Sequence, residues 1–265
     1  MRIIKKAIKI GNGAAVYVPK EYGGKEVIVI LPEGIEEIKK SVLSKLIGFM
    51  DNIAGVYLYG SFARHEEEKG SDIDILVITK EKDDSIKMAL KDVDLKIVTL
   101  EGVRKAIKKY PLLIVPILRE ARVLLNPLLL EELKNSGIDF RRFKWNFEDI
   151  RRIVKIIETF IEIDEENISA SYVYSLIMRI RVCYLIECLL KDKKFSNQGV
   201  RASLLNYGLD KERIDNYFEI YRKVRQNEEV REKIKKEEIL KLISILRKSL
   251  ERVKNETKKK IGKRH

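Results

Sequence analysis

The chain is poor in the residues that staple, break or anchor a fold. Its 265 residues include two cysteines, five prolines, one tryptophan and two histidines. Cys183 and Cys188 stand five apart in an apolar helical stretch, share no helix face well and match no metal-ligand spacing. They read as core thiols in a reducing compartment. So few prolines beside 45% apolar residues exclude wholesale disorder. Long apolar runs are also lacking. The opening MRIIKKAIKIGNG has none, so no signal peptide is expected, and YPLLIVPILREARVLLNPLLL is interrupted by Pro116, Arg119, Glu120 and Arg122. A soluble, cytoplasmic protein with no membrane partner is the expectation, and no repeat of fixed period is visible.

Charge, by contrast, is abundant. Charged residues make up 36% of the chain, with Lys and Glu heavy among them, a composition like that of proteins built for high temperature. Lys plus Arg number 54 against 41 acids, a net charge of +13. Such a balance favours polyanionic partners, nucleic acid or nucleotide phosphates, beside the plainer reading of a Lys-rich solvated surface. Part of the excess lies in KNETKKKIGKRH, expected to be a frayed basic tail over residues 256–265.

Short β-branched runs separated by Gly-Asn-Gly and EYGGK make residues 1–33 a small β module. Residues 34–127 alternate helical and strand-like segments: a helix over about 35–50, then AGVYLYG, DIDILVITK and VDLKIVTL as strands. EGVRKAIKKY reads as a helix, and a last short strand falls around Arg122 to Leu125. From about residue 128 to 255 the periodicity is helical throughout, apart from KKFSNQGVRASLLNYGLD, whose Gly and Asn mark a loop. The fold class is therefore α+β, with a β module, a mixed-sheet domain and an all-helical domain.

Chemistry concentrates in YGSFARHEEEKGSDIDILVI, residues 59–78. Strand side chains alternate, so Asp72 and Asp74 share one face while Ile73 and Ile75 take the other. Paired carboxylates repel unless solvated or bridged by a cation. Their oxygens suit Mg²⁺, which takes further ligands from substrate phosphates. Gly60-Ser61 ends a strand and opens a helix, where a tight turn brings backbone amides close to an anion and Ser61 can touch a phosphate. Arg64, one turn on, can counter phosphoryl charge. Asp94, between Val93 and Leu95, repeats the acid-in-a-strand pattern; Asp92 shares its parity and is a rival.

Taken together, the Gly-Ser turn, Ala63-Arg64, Ser71-Asp72-Ile73-Asp74 and Val93-Asp94 resemble the DNA polymerase β-like nucleotidyltransferase superfamily, over roughly residues 52–125. The resemblance implies a polymerase β-like mixed-sheet domain at 34–127. It makes Asp72, Asp74 and Asp94 catalytic ligands of two Mg²⁺ ions and Gly60, Ser61, Arg64 and Lys96 nucleotide-binding. The expected activity is transfer of an NMP from an NTP, ATP first among them, to an acceptor hydroxyl. RNA ends, protein Tyr or Ser side chains and small molecules all fit as acceptors. The basic balance leans to RNA or to a protein partner of toxin–antitoxin type. Small members of the family often carry Gly after Ala-Arg, where this chain has His65 and three glutamates; His65 is expected in an exposed turn.

KIGNGAAVYVPKEYGGKEVIVI resembles the swapped-hairpin modules of AbrB-type regulators, with Gly13 where many relatives have Ser. It implies a homodimer and DNA contact through residues 1–31. The competing expectation is accordingly a non-enzymatic, antitoxin-like DNA-binding regulator that uses the nucleotidyltransferase fold as a nucleotide sensor. YSLIMRIRVCYLIECLLKDKKFSNQGV is similar to helical domains paired with small nucleotidyltransferases, some of HEPN type. No His occurs between residues 66 and 264, so the HEPN nuclease motif is absent. Arg179, Arg181 and Tyr184 remain as candidates to line a substrate cleft.

Overall fold

In a computed structural model, the described residues are 8–10, 13–25, 34–67, 71–163, 168–230 and 234–262. The chain divides into two compact units, residues 1–40 and 41–265. In the first, β1 (Ile8–Ile10) and β2 (Gly13–Ala15) form an antiparallel hairpin with Ile8 opposite Ala15. A single 3₁₀ turn follows at Lys20–Tyr22. Ile8, Ile10, Tyr17 and Val18 are exposed. Apart from Lys25, the strand expected in KEVIVIL lies outside the described residues, as do residues 1–7.

Helix α1 (Ile35–Lys45) is shorter than the 35–50 expected, because the chain tightens into a 3₁₀ turn at Ile47–Phe49. In the larger unit follow β3 (Ile53–Tyr59), α2 (Gly60–Arg64), β4 (Asp74–Thr79), α3 (Ile86–Ala89) and β5 (Asp94–Thr99). Then come α4 (Leu100–Lys109), α5 (Pro111–Glu120) and β6 (Arg122–Leu125). The sheet order is β5-β4-β3-β6; β4 is antiparallel to β3 and parallel to β5, and β6 is antiparallel to β3. Period-two alternation puts Tyr57, Tyr59, Leu76 and Ile78 on one face, within the main core, while Val56, Leu58, Ile75 and Val77 are fully buried on the other. Both faces of β3 and β4 are thus covered, which is why their sequences read as continuous apolar runs.

The core face continues without a break into α6 (Pro127–Lys134), α7 (Lys144–Ile163), α8 (Ala170–Leu190), α9 (Asn197–Asn206), α10 (Lys211–Arg225) and α11 (Lys236–Gly262). Val103, Leu118, Phe143, Leu176, Leu204, Tyr217 and Leu246 all belong to it. Each fully buried side chain of this size contributes about 1.5–3 kcal/mol relative to exposure. Helix α8 is buried around much of its circumference and packs against α5, α7, α9, α10 and α11. It is the axis of the helical half.

Two segments differ from the sequence reading. The supposed loop of residues 193–210 contains α9, whose N-cap Ser196 accepts from the amide of Gly199 at 3.0 Å. Gly199 is no breaker there: a Cβ would overlap Tyr184 Oη, so the residue admits a close helix–helix approach. The basic run at the C-terminus is also helical as far as Gly262. Thr257 is buried and donates to Val253 O, Ile261 packs on the core, and Lys260 Nζ donates to Leu190 O at 3.1 Å.

Candidate active site

Three strand ends meet at one edge of the sheet. Tyr59, the last residue of β3, pairs with Asp74, the first of β4, and Asp74 pairs with Asp94, the first of β5. Directly paired residues share a face, so one row carries Tyr59, Asp74 and Asp94. The amide of Asp94 donates to Ile73 O at 2.9 Å and fixes that register. Lys96, two positions along β5, reaches back to donate to Tyr59 Oη at 2.8 Å, with its ammonium 5.1 Å from the ring centroid.

Electrostatics follow from this crowding. Burial, then the Asp94 charge and a carboxyl–carboxyl hydrogen bond with it, push Asp74 up to about 6. Burial also raises Tyr59, an effect its hydrogen bond from Lys96 partly offsets. For Lys96 burial works downward, but Tyr59, Asp94 and Asp74 outweigh it and the ammonium is held more firmly.

Asp72 stands apart. The strand begins at Asp74, and Asp72 sits exposed in the irregular segment 71–73. Strand alternation therefore does not hold Asp72 and Asp74 on one face. Among the described residues no trio of His, Cys, Asp or Glu is placed to hold a metal ion. Asp92 lies before β5, exposed and ion-paired with Lys45, so the register puts Asp94 and not Asp92 beside Asp74.

The Gly60 turn abuts the acids. Gly60 has φ +74°, and a Cβ there would overlap Asp74 Oδ2, so only glycine fits both the backbone and the carboxylate. Its amide donates to Glu120 Oε1 at 2.9 Å, and Arg64 Nη1 donates to Glu120 Oε2 at 2.7 Å. Arg64 Nε donates to Glu66 Oε2 at 2.9 Å, so both sides of the guanidinium are engaged by carboxylates. His65 closes α2 with φ 56°, a left-handed conformation that explains why glycine is common at this point in relatives. Its Nε2 lies 2.6 Å from Arg122 Nη2, and the ring is exposed.

The helical half contributes a second cation. Glu66 accepts from the amide of Asn197, the first residue of α9, at 3.0 Å, and Asn197 Oδ1 accepts from Arg181 Nη1 at 2.7 Å. The Arg181 guanidinium lies 5.4 Å from the Phe195 ring centroid and 5.3 Å from that of Tyr221. Among the described residues no carboxylate ion-pairs with it. Burial depresses its basicity, and Arg64 and Arg225 add to the effect against the opposing Tyr221. Arg179 instead turns to α7, donating to Asp149 at 3.1 Å and to Ser175 Oγ at 2.9 Å. Tyr184 packs on Phe195.

The donor set fits a hard divalent cation. Asp74 and Asp94 are neighbouring carboxylates in register and could hold such a cation, which would offset their mutual repulsion. Glu66 and Glu120, which sequence reasoning did not single out, are built into the same region. Glu120 is separated from Gly60 by 60 residues, and no local pattern announces that contact.

Residues 40–127 match the family model described as "Polymerase beta, Nucleotidyltransferase". No curated protein matches the sequence. Among solved structures, the chain is similar to spectinomycin adenyltransferase AAD(9) from Enterococcus faecialis, determined with ATP and spectinomycin. The identity is 16% and the TM-score 0.47, over 83% of this chain and 100% of that one. The segment that bears the acid row and the Gly60 turn is a polymerase β-like nucleotidyltransferase domain.

Proposed function

We propose that the protein transfers a nucleoside monophosphate from an NTP, ATP first among them, to an acceptor hydroxyl. The observation that carries this reading is the row Tyr59, Asp74, Asp94 lying in register beside a glycine turn that only glycine can make. Two Mg²⁺ ions, when bound, would neutralise the triphosphate and polarise its α-phosphorus–oxygen bonds. Asp74 and Asp94 would hold them, and Asp72 would join by a small movement of the segment 71–73. Asp94 would also accept the proton of the attacking hydroxyl. Ser61 and the amides after Gly60 orient the terminal phosphates, and Lys96 and Arg181 offset charge on the leaving pyrophosphate. Arg64, tied to two carboxylates, holds the turn rather than the nucleotide. Catalysis of this kind is positioning and electrostatics without a covalent intermediate.

An RNA 3′ end or a protein hydroxyl is the acceptor class we infer from the net charge of +13. Incubation with α-labelled ATP, CTP, GTP and UTP plus Mg²⁺, with total RNA or lysate protein as acceptor, tests the reading. Label should move to one acceptor class with release of pyrophosphate.

A second reading has its own observation. The hairpin of residues 8–15 leaves Ile8 and Ile10 more than half exposed, at 54% and 55%, an apolar edge that a second copy of the chain would cover. A homodimer through residues 1–33, in contact with DNA, would make the protein a regulator. Sub-micromolar binding to specific DNA without pyrophosphate release from any NTP would favour that role over transfer.

A further inference from the structure

The turn at Gly60 is not held by its own backbone alone. A continuous polar chain runs from it into the helical half: Gly60 amide to Glu120, Glu120 to Arg64, Arg64 to Glu66, Glu66 to the Asn197 amide, and Asn197 to Arg181. The five contacts span 2.7–3.0 Å. The side chains of Arg64, Glu66 and Glu120 are only 17%, 14% and 14% exposed. Two carboxylates around one guanidinium leave a net negative charge, which the Gly60 and Asn197 amides are placed to satisfy. Glu120 is the last residue of α5, a helix that buries Ile114, Val115 and Leu118, and so ties the turn to the core.

We propose that Glu120 and Glu66 are positioning residues for the phosphate-binding turn, acting through Arg64, and that they tie this turn to Arg181 on α8. What the turn binds rests on the transferase reading; that it is held from α5 and α9 does not. The Glu66 carboxylate links the sheet edge to the first turn of α9. Two groups meant for one nucleotide, the Gly60 turn and Arg181, are thereby held by a single chain of hydrogen bonds.

The test combines hydrogen–deuterium exchange of the nucleotide-free full chain with steady-state kinetics on Glu120→Gln and Glu66→Gln. Either variant should raise exchange of the amides over residues 60–64 roughly tenfold, the equivalent of one weakened charge-assisted hydrogen bond. The KM for NTP should rise by about 10-fold with kcat changed less than about threefold, as expected when binding and transition state lose the same contact. Unchanged exchange over residues 60–64 in both variants overturns the proposal, as does a fall in kcat at constant KM, which would place Glu120 on the reacting atoms. If Glu120→Gln does not fold, Glu66→Gln carries the test. Should the wild type use no nucleotide, faster exchange still supports the positioning, and the transferase reading alone falls.

Discussion

The metal-free protein should become more stable when a residue of its acid row is neutralised. Asp74 is pushed from 3.8 to about 6 by burial and by Asp94. A carboxyl raised in the folded state favours folding fully below its unfolded value, and that contribution disappears as pH climbs through about 6. At pH 7.5 the whole cost is present. The displacement corresponds to a ceiling of about 3 kcal/mol. Asp74 is only partly buried, so solvent screening cuts this to about 1 kcal/mol. In a unit of this size that is about 2–4 °C in melting temperature. Asp74→Asn, melted by calorimetry in EDTA, should therefore gain a few degrees at pH 7.5 and little at pH 4, where the wild-type carboxyl already carries its proton. Mg²⁺ should stabilise the wild type and leave the variant unmoved. A variant no more stable than wild type at pH 7.5, or a gain equal at both pH values, would refute the electrostatic account of the row.

Gly60→Ala should fold, yet displace the Asp74 carboxylate and lower transfer by roughly 100-fold, comparable to losing one preorganised group of an active site; near-wild-type kcat would show that the close approach is dispensable. Arg181→Met should raise the NTP KM by roughly 10-fold or more, the scale of a lost hydrogen bond to a charged group, read by initial rates across NTP concentrations. Ile8→Asp with Ile10→Asp should turn a dimer into a monomer in light scattering while transfer per chain persists; a wild-type monomer at high concentration would remove the dimer proposal.

Much of the sheet was legible because its signals are local. The alternation around Asp74 and Asp94 and the Gly60-Ser61 turn each span a few residues, and the strands fall where the apolar runs are. Alternation extends the strand to Asp72, but β4 starts two positions later, since alternation cannot show where pairing begins. Helix α9 was hidden by Asn197 and Gly199, whose roles depend on Glu66 and Tyr184, distant in sequence. The basic run at the C-terminus reads as solvated, but Thr257 and Ile261 find the core only after α8 and α11 pack. Arg64 looked free to meet phosphate, and no neighbour in the sequence gives away Glu120.

The most direct measurement is label transfer from an α-labelled NTP in the presence of Mg²⁺, comparing the wild type with Asp74→Asn and Asp72→Asn under conditions where all three are folded. Transfer to one acceptor class by the wild type, abolished in both variants and in EDTA, is the predicted result. Undiminished transfer by either variant would contradict the account.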